Sequence, residues 1–179
     1  MNFDQMILLS VQDFVRNDWL NSIMCTVTVM GNKGLIWLVF LLVLLLYPKT
    51  RKLGIVAGLS FILCVGVGEV LKHTVMRPRP FLEIADLVPL VTPSKSSSFP
   101  SLHTVSSFSV AWIFLWAPIG KIRYAVFLFA VWMAFSRIYV GVHYPSDILG
   151  GILLALAGSY IVWCWKGHIL EKNYRRIKL

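Results

Sequence analysis

Residues 53–80 read LGIVAGLSFILCVGVGEVLKHTVMRPRP. Positions 53–71 are apolar or small except for Ser60 and Glu69, and a basic block follows: Lys72-His73, then Arg77-Pro78-Arg79-Pro80. At 1.5 Å per residue the apolar part makes a helix of about 28 Å, close to the roughly 30 Å hydrocarbon core of a bilayer. The rest of the chain has the same character. Of its 179 residues, 58% are hydrophobic and 14% charged, against about 45–50% and roughly 25% in soluble domains. A water-soluble fold of this length cannot hide so much apolar surface. Seven Trp, six Tyr and eleven Phe exclude disorder. The composition therefore specifies a membrane protein with one domain over 1–179.

Outward from that stretch, further spans are expected over about 104–116, 122–140 and 148–165. Residues 20–47 read as one broken span with a kink at Gly31-Asn32-Lys33-Gly34, and a shallow hairpin at Gly31 is the alternative. Residues 3–16 carry apolar side chains largely on one helical face, so 1–18 reads as an interfacial amphipathic helix rather than a span. The fold expected is an all-α integral membrane helical bundle with five or six transmembrane segments. Residues 72–103 hold five of the eight prolines and a serine run; by composition they form a mobile loop between spans. Cys25, Cys64 and Cys164 are isolated in apolar stretches, with neither disulfide nor metal-ligand spacing.

Basic residues orient the chain. Five spans put Lys49, Arg51, Lys52, Lys121, Arg123, Lys166 and the tail residues Lys172, Arg175, Arg176 and Lys178 on one side, expected to be cytoplasmic, with 166–179 as a basic tail. Lys33, Lys72, Arg77, Arg79, Lys95 and Arg137 then face outward, against the usual bias. With 17 Lys and Arg to 8 Asp and Glu, the partners expected are the bilayer and an anionic lipid rather than nucleic acid.

Three polar blocks interrupt the apolar chain at the outer ends of spans: Lys72, six residues, Arg79-Pro80; then Phe99-Pro100-Ser101-Leu102-His103; then Ser136-Arg137, five residues, His143, three residues, Asp147. They supply what phosphoryl transfer through histidine requires. A transferring phosphoryl group spreads charge over three oxygens. Arg79 and Arg137 can each grip two of them, and Lys72 adds a point charge. Pro100 precedes a helix whose first free N–H groups and dipole favour an anion, with the Ser101 hydroxyl as a further donor. One imidazole can attack phosphorus while a second protonates the departing oxygen. A carboxylate behind the attacking ring fixes its tautomer. His143 is assigned as nucleophile, Asp147 as its orienting partner and His103 as general acid. Arg77 and Lys95 read as interfacial snorkelling cations. His73 reads as a solvent-facing loop residue, His168 as a tail residue, and Glu69 as a structural ion pair or pore-facing group. No cofactor or metal site is indicated.

In order and spacing the three blocks resemble the type-2 phosphatidic acid phosphatase superfamily, which shares its site architecture with the vanadium haloperoxidases. The resemblance implies a helical membrane bundle, an extracytoplasmic site, metal-independent chemistry and a phosphohistidine intermediate. It assigns Lys72, Arg79, Ser101, Arg137 and the backbone N–H of Leu102 to phosphate binding, and gives His103, His143 and Asp147 the roles argued above. Leu102 stands where the family pattern has glycine. The N–H survives this change if residue 102 has helical φ and ψ; a need for positive φ would strain it. The expected activity is hydrolysis of a lipid phosphate or diphosphate, with undecaprenyl diphosphate placed ahead of phosphatidylglycerophosphate and phosphatidate. A lipid phosphotransferase using the same site, and a non-catalytic anionic-lipid binder or transporter, are the alternatives.

Overall fold

A computed structural model describes residues 2–92, 94 and 96–170, with side chains to residue 167. Lys95, His168 and the tail cations Lys172, Arg175, Arg176 and Lys178 therefore lie outside what is described. Eight α-helices follow in order among the described residues: α1 (Phe3–Phe14), α2 (Asp18–Met30), α3 (Leu35–Leu46), α4 (Arg51–Val75), the single turn α5 (Pro80–Glu83), α6 (Leu102–Trp116), α7 (Ile122–Tyr139) and α8 (Pro145–Leu170). No strand occurs among them.

The bundle is built round α6, which packs on α4, α7 and α8. Residues Thr104 to Ala111 of α6 are all buried, as are Ile113 and Phe114. Its serines fit this position because each hydroxyl finds a partner: Ser107 Oγ accepts from Trp37 Nε1 at 2.8 Å and donates to the His103 carbonyl at 2.7 Å. The outer helices keep one face bare. Ile62, Val70, Leu128, Leu149, Leu153 and Ile161 are all more than half exposed, the pattern of a bundle solvated by lipid tails.

α4, α7 and α8 are long and apolar enough to cross a membrane, and α2 with α3 passes the same test as a pair bent by 51°. The bend is made at Asn32–Gly34, a 3-10 turn in which Lys33 (φ 53°) and Gly34 (φ 70°) are both left-handed. The break falls at the Gly31-Asn32-Lys33-Gly34 stretch where the sequence places the kink or turn. α6 has 15 residues, about 22 Å.

α1 differs from a helix merely lying on a surface. Leu8 and Val11 are buried, and its polar side chains bond to the protein. Gln12 Nε2 donates to the Asp86 carbonyl at 2.9 Å, and Gln12 Oε1 accepts from Val88 N at 2.8 Å. Arg16 Nε donates to the Tyr139 carbonyl at 2.9 Å. Phe3, Met6 and Phe14 are exposed on the other face. The segment 72–103 also departs from a free loop. Its first residues complete α4, α5 forms within it, and Ser98 N donates to the Arg77 carbonyl at 2.8 Å. The prolines stop helix propagation there, while serine hydroxyls and backbone hydrogen bonds tie the segment down.

Candidate phosphoryl-transfer site

The C-terminal ends of α4 and α7 and the N-terminal end of α6, with the turn between α7 and α8, converge on a cavity of about 790 Å3. That turn is tight because Gly141 takes φ 78° and leaves Arg16 Nη2 room where a side chain would stand. Pro145 and Asp147 then open α8. Asp147 Oδ2 accepts from Tyr144 N at 2.9 Å, capping the helix it belongs to. The carboxylate is thus fixed by local geometry before it meets the rest of the site.

Lys72, Arg79, Leu102, His103, Arg137 and His143 all line the cavity. The cations are held by neutral groups. Lys72 Nζ donates to the Ser97 carbonyl at 2.5 Å. Arg79 donates to the Ser96 carbonyl at 2.8 Å, Ser96 Oγ at 3.0 Å and the Val142 carbonyl at 3.1 Å. Arg137 Nη1 donates to Thr28 Oγ1, and its buried Nε has no partner among the described residues. None of the three forms an ion pair there.

His143 is buried in this wall, its Nε2 3.4 Å from Arg79 Nη1 and its Nδ1 3.4 Å from Asp147 Oδ2. The second distance is longer than a close hydrogen bond, as is common where a site tightens only around its substrate. Burial, then Arg137, Arg79 and Lys72, hold the imidazole well below the ordinary histidine pKa. It is therefore neutral, with a lone pair to give. Across the cavity His103 Nε2 donates to the Thr28 carbonyl at 3.1 Å. A carbonyl can only accept, so the neutral ring carries its hydrogen on Nε2 and leaves Nδ1 open.

Two expected residues are placed differently from the rest. Ser101 is fully buried, its Oγ accepting from Thr104 Oγ1 at 3.1 Å, and it does not line the cavity. Leu102 is the first residue of α6, and positive φ among the described non-glycine residues is confined to Lys33 and Met76. The substitution is unstrained, and its N–H lies in the first turn, free of an intrahelical acceptor. Its side chain fits because Gly68 of α4 faces it: a Cβ at 68 would meet Leu102 Cδ2 at 2.8 Å.

The reading of Arg77 as a snorkelling cation is overturned. Its Nη1 lies 2.8 Å from Asp147 Oδ1 and its Nη2 3.0 Å from Asp4 Oδ2. His73 is exposed, yet in the last turn of α4 rather than in a loop. Glu69 is exposed and lines the cavity. Sequence reasoning passed over Thr28, which serves Arg137, Ser136 and His103, and Ser98, whose Oγ donates to Asp147 Oδ2 at 2.5 Å. Ser98 adjoins the second block and could have been singled out; Thr28 carries no local signal.

The PAP2 superfamily model matches residues 53–170. An undecaprenyl-diphosphatase of Sulfolobus acidocaldarius is 33% identical over 148 residues, 79% of this chain and 67% of that protein. Phosphatidylglycerophosphatase B of Bacillus subtilis is 30% identical over 165 residues, 83% of this chain and 76% of that one. Two other relatives are matched over 57% and 58% of their own length. The crystal structure of Aquifex aeolicus LpxE superposes with a TM-score of 0.82 at 23% identity, covering 92% of this chain and 96% of that one, which shows the shared fold. With the family model running over most of its length and bearing all three polar blocks, this membrane protein belongs to the PAP2 superfamily, the type-2 phosphatidic acid phosphatases that those blocks resemble.

Proposed function

We propose that the chain is a membrane lipid phosphatase that hydrolyses a lipid phosphate or diphosphate through a phosphohistidine on His143. The observation that carries this reading is one cavity lined by two imidazoles and by Lys33, Lys72, Arg79 and Arg137, the last three held by neutral groups, with a carboxylate behind one imidazole. Binding an anion requires the cations alone. The pair of imidazoles on opposite walls is what transfer adds.

The residues divide the work as follows. Arg79, Arg137 and Lys72 hold the phosphoryl oxygens, with the first-turn N–H of Leu102 and, once the cavity fills, the Ser101 hydroxyl. His143 Nε2 gives its lone pair to phosphorus, forming a P–N bond as the P–O bond to the lipid breaks. Nδ1–H faces Asp147, which stabilises the cation as it develops. His103 Nδ1, open in the free site, takes up the acidic proton of the bound phosphoryl group, delivers it to the departing oxygen, then accepts one from water and passes it back to the phosphate. The hydroxide attacks phosphorus, the P–N bond breaks, and phosphate leaves with both rings restored.

Five crossings, by the bent α2–α3 pair and by α4, α6, α7 and α8, with α1 at the interface, accord with the bare faces and with Phe3, Met6 and Phe14 exposed opposite Leu8 and Val11. Orientation by basic residues puts the cavity on the extracytoplasmic side. Polyprenyl diphosphate is the first substrate choice, supported by the relative in Sulfolobus, with phosphatidylglycerophosphate and phosphatidate next. The test is phosphate release by purified protein from a panel of these three lipids, with and without a chelator. Release from at least one lipid, unaffected by chelation and blocked by vanadate, is expected. Activity lost on chelation and restored by magnesium would reassign the charge stabilisation. No release from any lipid would leave an anion binder.

A further inference from the structure

Asp147 is completely buried, yet its environment is more than His143 and its own helix turn. Arg77 Nη1 approaches Oδ1 at 2.8 Å, leaving Oδ2 to face Nδ1 of His143. The main chain of Arg77 acts on the other oxygen: its carbonyl accepts from Ser98 N at 2.8 Å, and Ser98 Oγ donates to Oδ2. One residue thus governs both carboxylate oxygens. Arg77 is itself gripped from the far side by α1. Asp4 Oδ2 takes its Nη2 at 3.0 Å, and Asp4 Oδ1 accepts from Ser146 N at 3.0 Å. The guanidinium also lies over the Tyr144 ring, 4.0 Å from its centroid, and donates to Ser146 Oγ at 2.7 Å. Arg77 is absent from the cavity wall. Its two carboxylate partners leave it little positive charge to offer a phosphate, in contrast to Lys72, Arg79 and Arg137.

We propose that Arg77 is a positioning residue that aims Asp147 at His143, and that Asp4 completes the device, making the N-terminal helix α1 part of the catalytic apparatus. This rests on His143 as nucleophile. A guanidinium sets one N–H on each of two carboxylates at a fixed separation, which the single point of an ammonium cannot do.

The test compares Arg77→Ala, Arg77→Lys and Asp4→Asn with the unaltered protein on whichever lipid it hydrolyses. Arg77→Ala lowers kcat about 10–100-fold, the usual cost of losing a partner that orients a histidine–carboxylate pair. Arg77→Lys recovers part of this, and Asp4→Asn gives a smaller loss in the same direction. Inhibition by vanadate stays unchanged, because the oxygen-binding cations are untouched. Removing the Arg77 charge also leaves Asp147 less neutralised, so the acid limb of kcat/KM, set by His143, moves to higher pH. The imidazole resonances of His143 show the same displacement without any turnover. They read the inference even if no lipid is hydrolysed, an outcome that would sink the proposed function instead. Unchanged kcat and an unmoved His143 titration overturn the positioning role. Weakening of vanadate inhibition in proportion to lost activity overturns it too, by making Arg77 a phosphate ligand. Should Arg77→Ala not fold, Arg77→Lys and Asp4→Asn carry the same readouts.

Discussion

Two buried polar clusters lie along the same helices and differ in how they are satisfied. In mid-bundle, Ser60 Oγ of α4 donates to the Ser109 carbonyl of α6 at 2.8 Å and lies 2.8 Å from Ser159 Oγ of α8, which reaches the same carbonyl at 3.2 Å. Every group there is neutral and paired within the cluster. At the end of the bundle that holds His143, Lys72, Arg79 and Arg137 are buried cations whose described partners are carbonyls, hydroxyls and, for Arg79, the His143 ring. Burying charge without an opposite charge is costly, and a fold that needed only adhesion has the serine solution already to hand. On the proposed function, the difference separates polar groups that hold helices together from polar groups held ready for an anion. Arg77, with two carboxylates, belongs to neither cluster.

The strongest way to break this contrast is His143→Ala, which should cost about 10^3-fold or more in phosphate release while the bundle stays folded. Turnover near that of the unaltered protein would remove the mechanism. Next comes Arg137→Ala, expected to lower kcat about 10^2–10^3-fold by deleting a donor to the charge that develops on the phosphoryl oxygens. Inhibition by vanadate should weaken with it; unchanged inhibition would place Arg137 with the structural groups.

The pH profile gives a finer reading. As the proposed nucleophile, His143 would attack only when neutral, and its pKa is lowered by burial and the three cations. As pH falls, the neutral form therefore persists through the ordinary histidine range and is lost only below it. The acid limb of kcat/KM should lie under pH 6.5, and should move upward in Arg137→Ala as one of the depressing charges goes. A limb at or above the ordinary value in the unaltered protein would mean that the cations do not act on His143. The smallest effect belongs to the mid-bundle cluster. Ser60→Ala should cost about 1 kcal/mol of stability, lowering the melting temperature in detergent by about 2–4 °C with kcat unchanged. A large loss of activity would show that the two clusters are coupled.

Much of this architecture can be read from local patterns, since apolar runs of fixed length and basic flanks declare helices of a membrane bundle. Boundaries shift where the signal is polar: α4 runs on to Val75 because Lys72 and Thr74 sustain a helix that hydropathy alone would end at Leu71. The residues that the three blocks single out converge because each block occupies the same end of its helix. What escapes is pairing over long separations. Asp4 meets Ser146 across 142 positions and Thr28 meets Arg137 across 109, and neither Asp4 nor Thr28 differs locally from an ordinary helix residue. Arg77 was misread for the same reason: a cation at the end of a span looks interfacial until its carboxylates arrive from elsewhere in the chain.

The brevity of α6 decides which neighbour stands over the site. At 15 residues, beside neighbours of 25 and 26, it is about 15 Å shorter than α4 or α8. The extra length falls at opposite ends. α4 runs on from Gly68, which faces Leu102, to Val75, while α8 starts level with α6, Ser101 N donating to the Asp147 carbonyl at 3.3 Å, and outlasts it beyond Trp163, which packs on Trp116. His103, in the first turn of α6, is therefore overtopped by α4 on one side only.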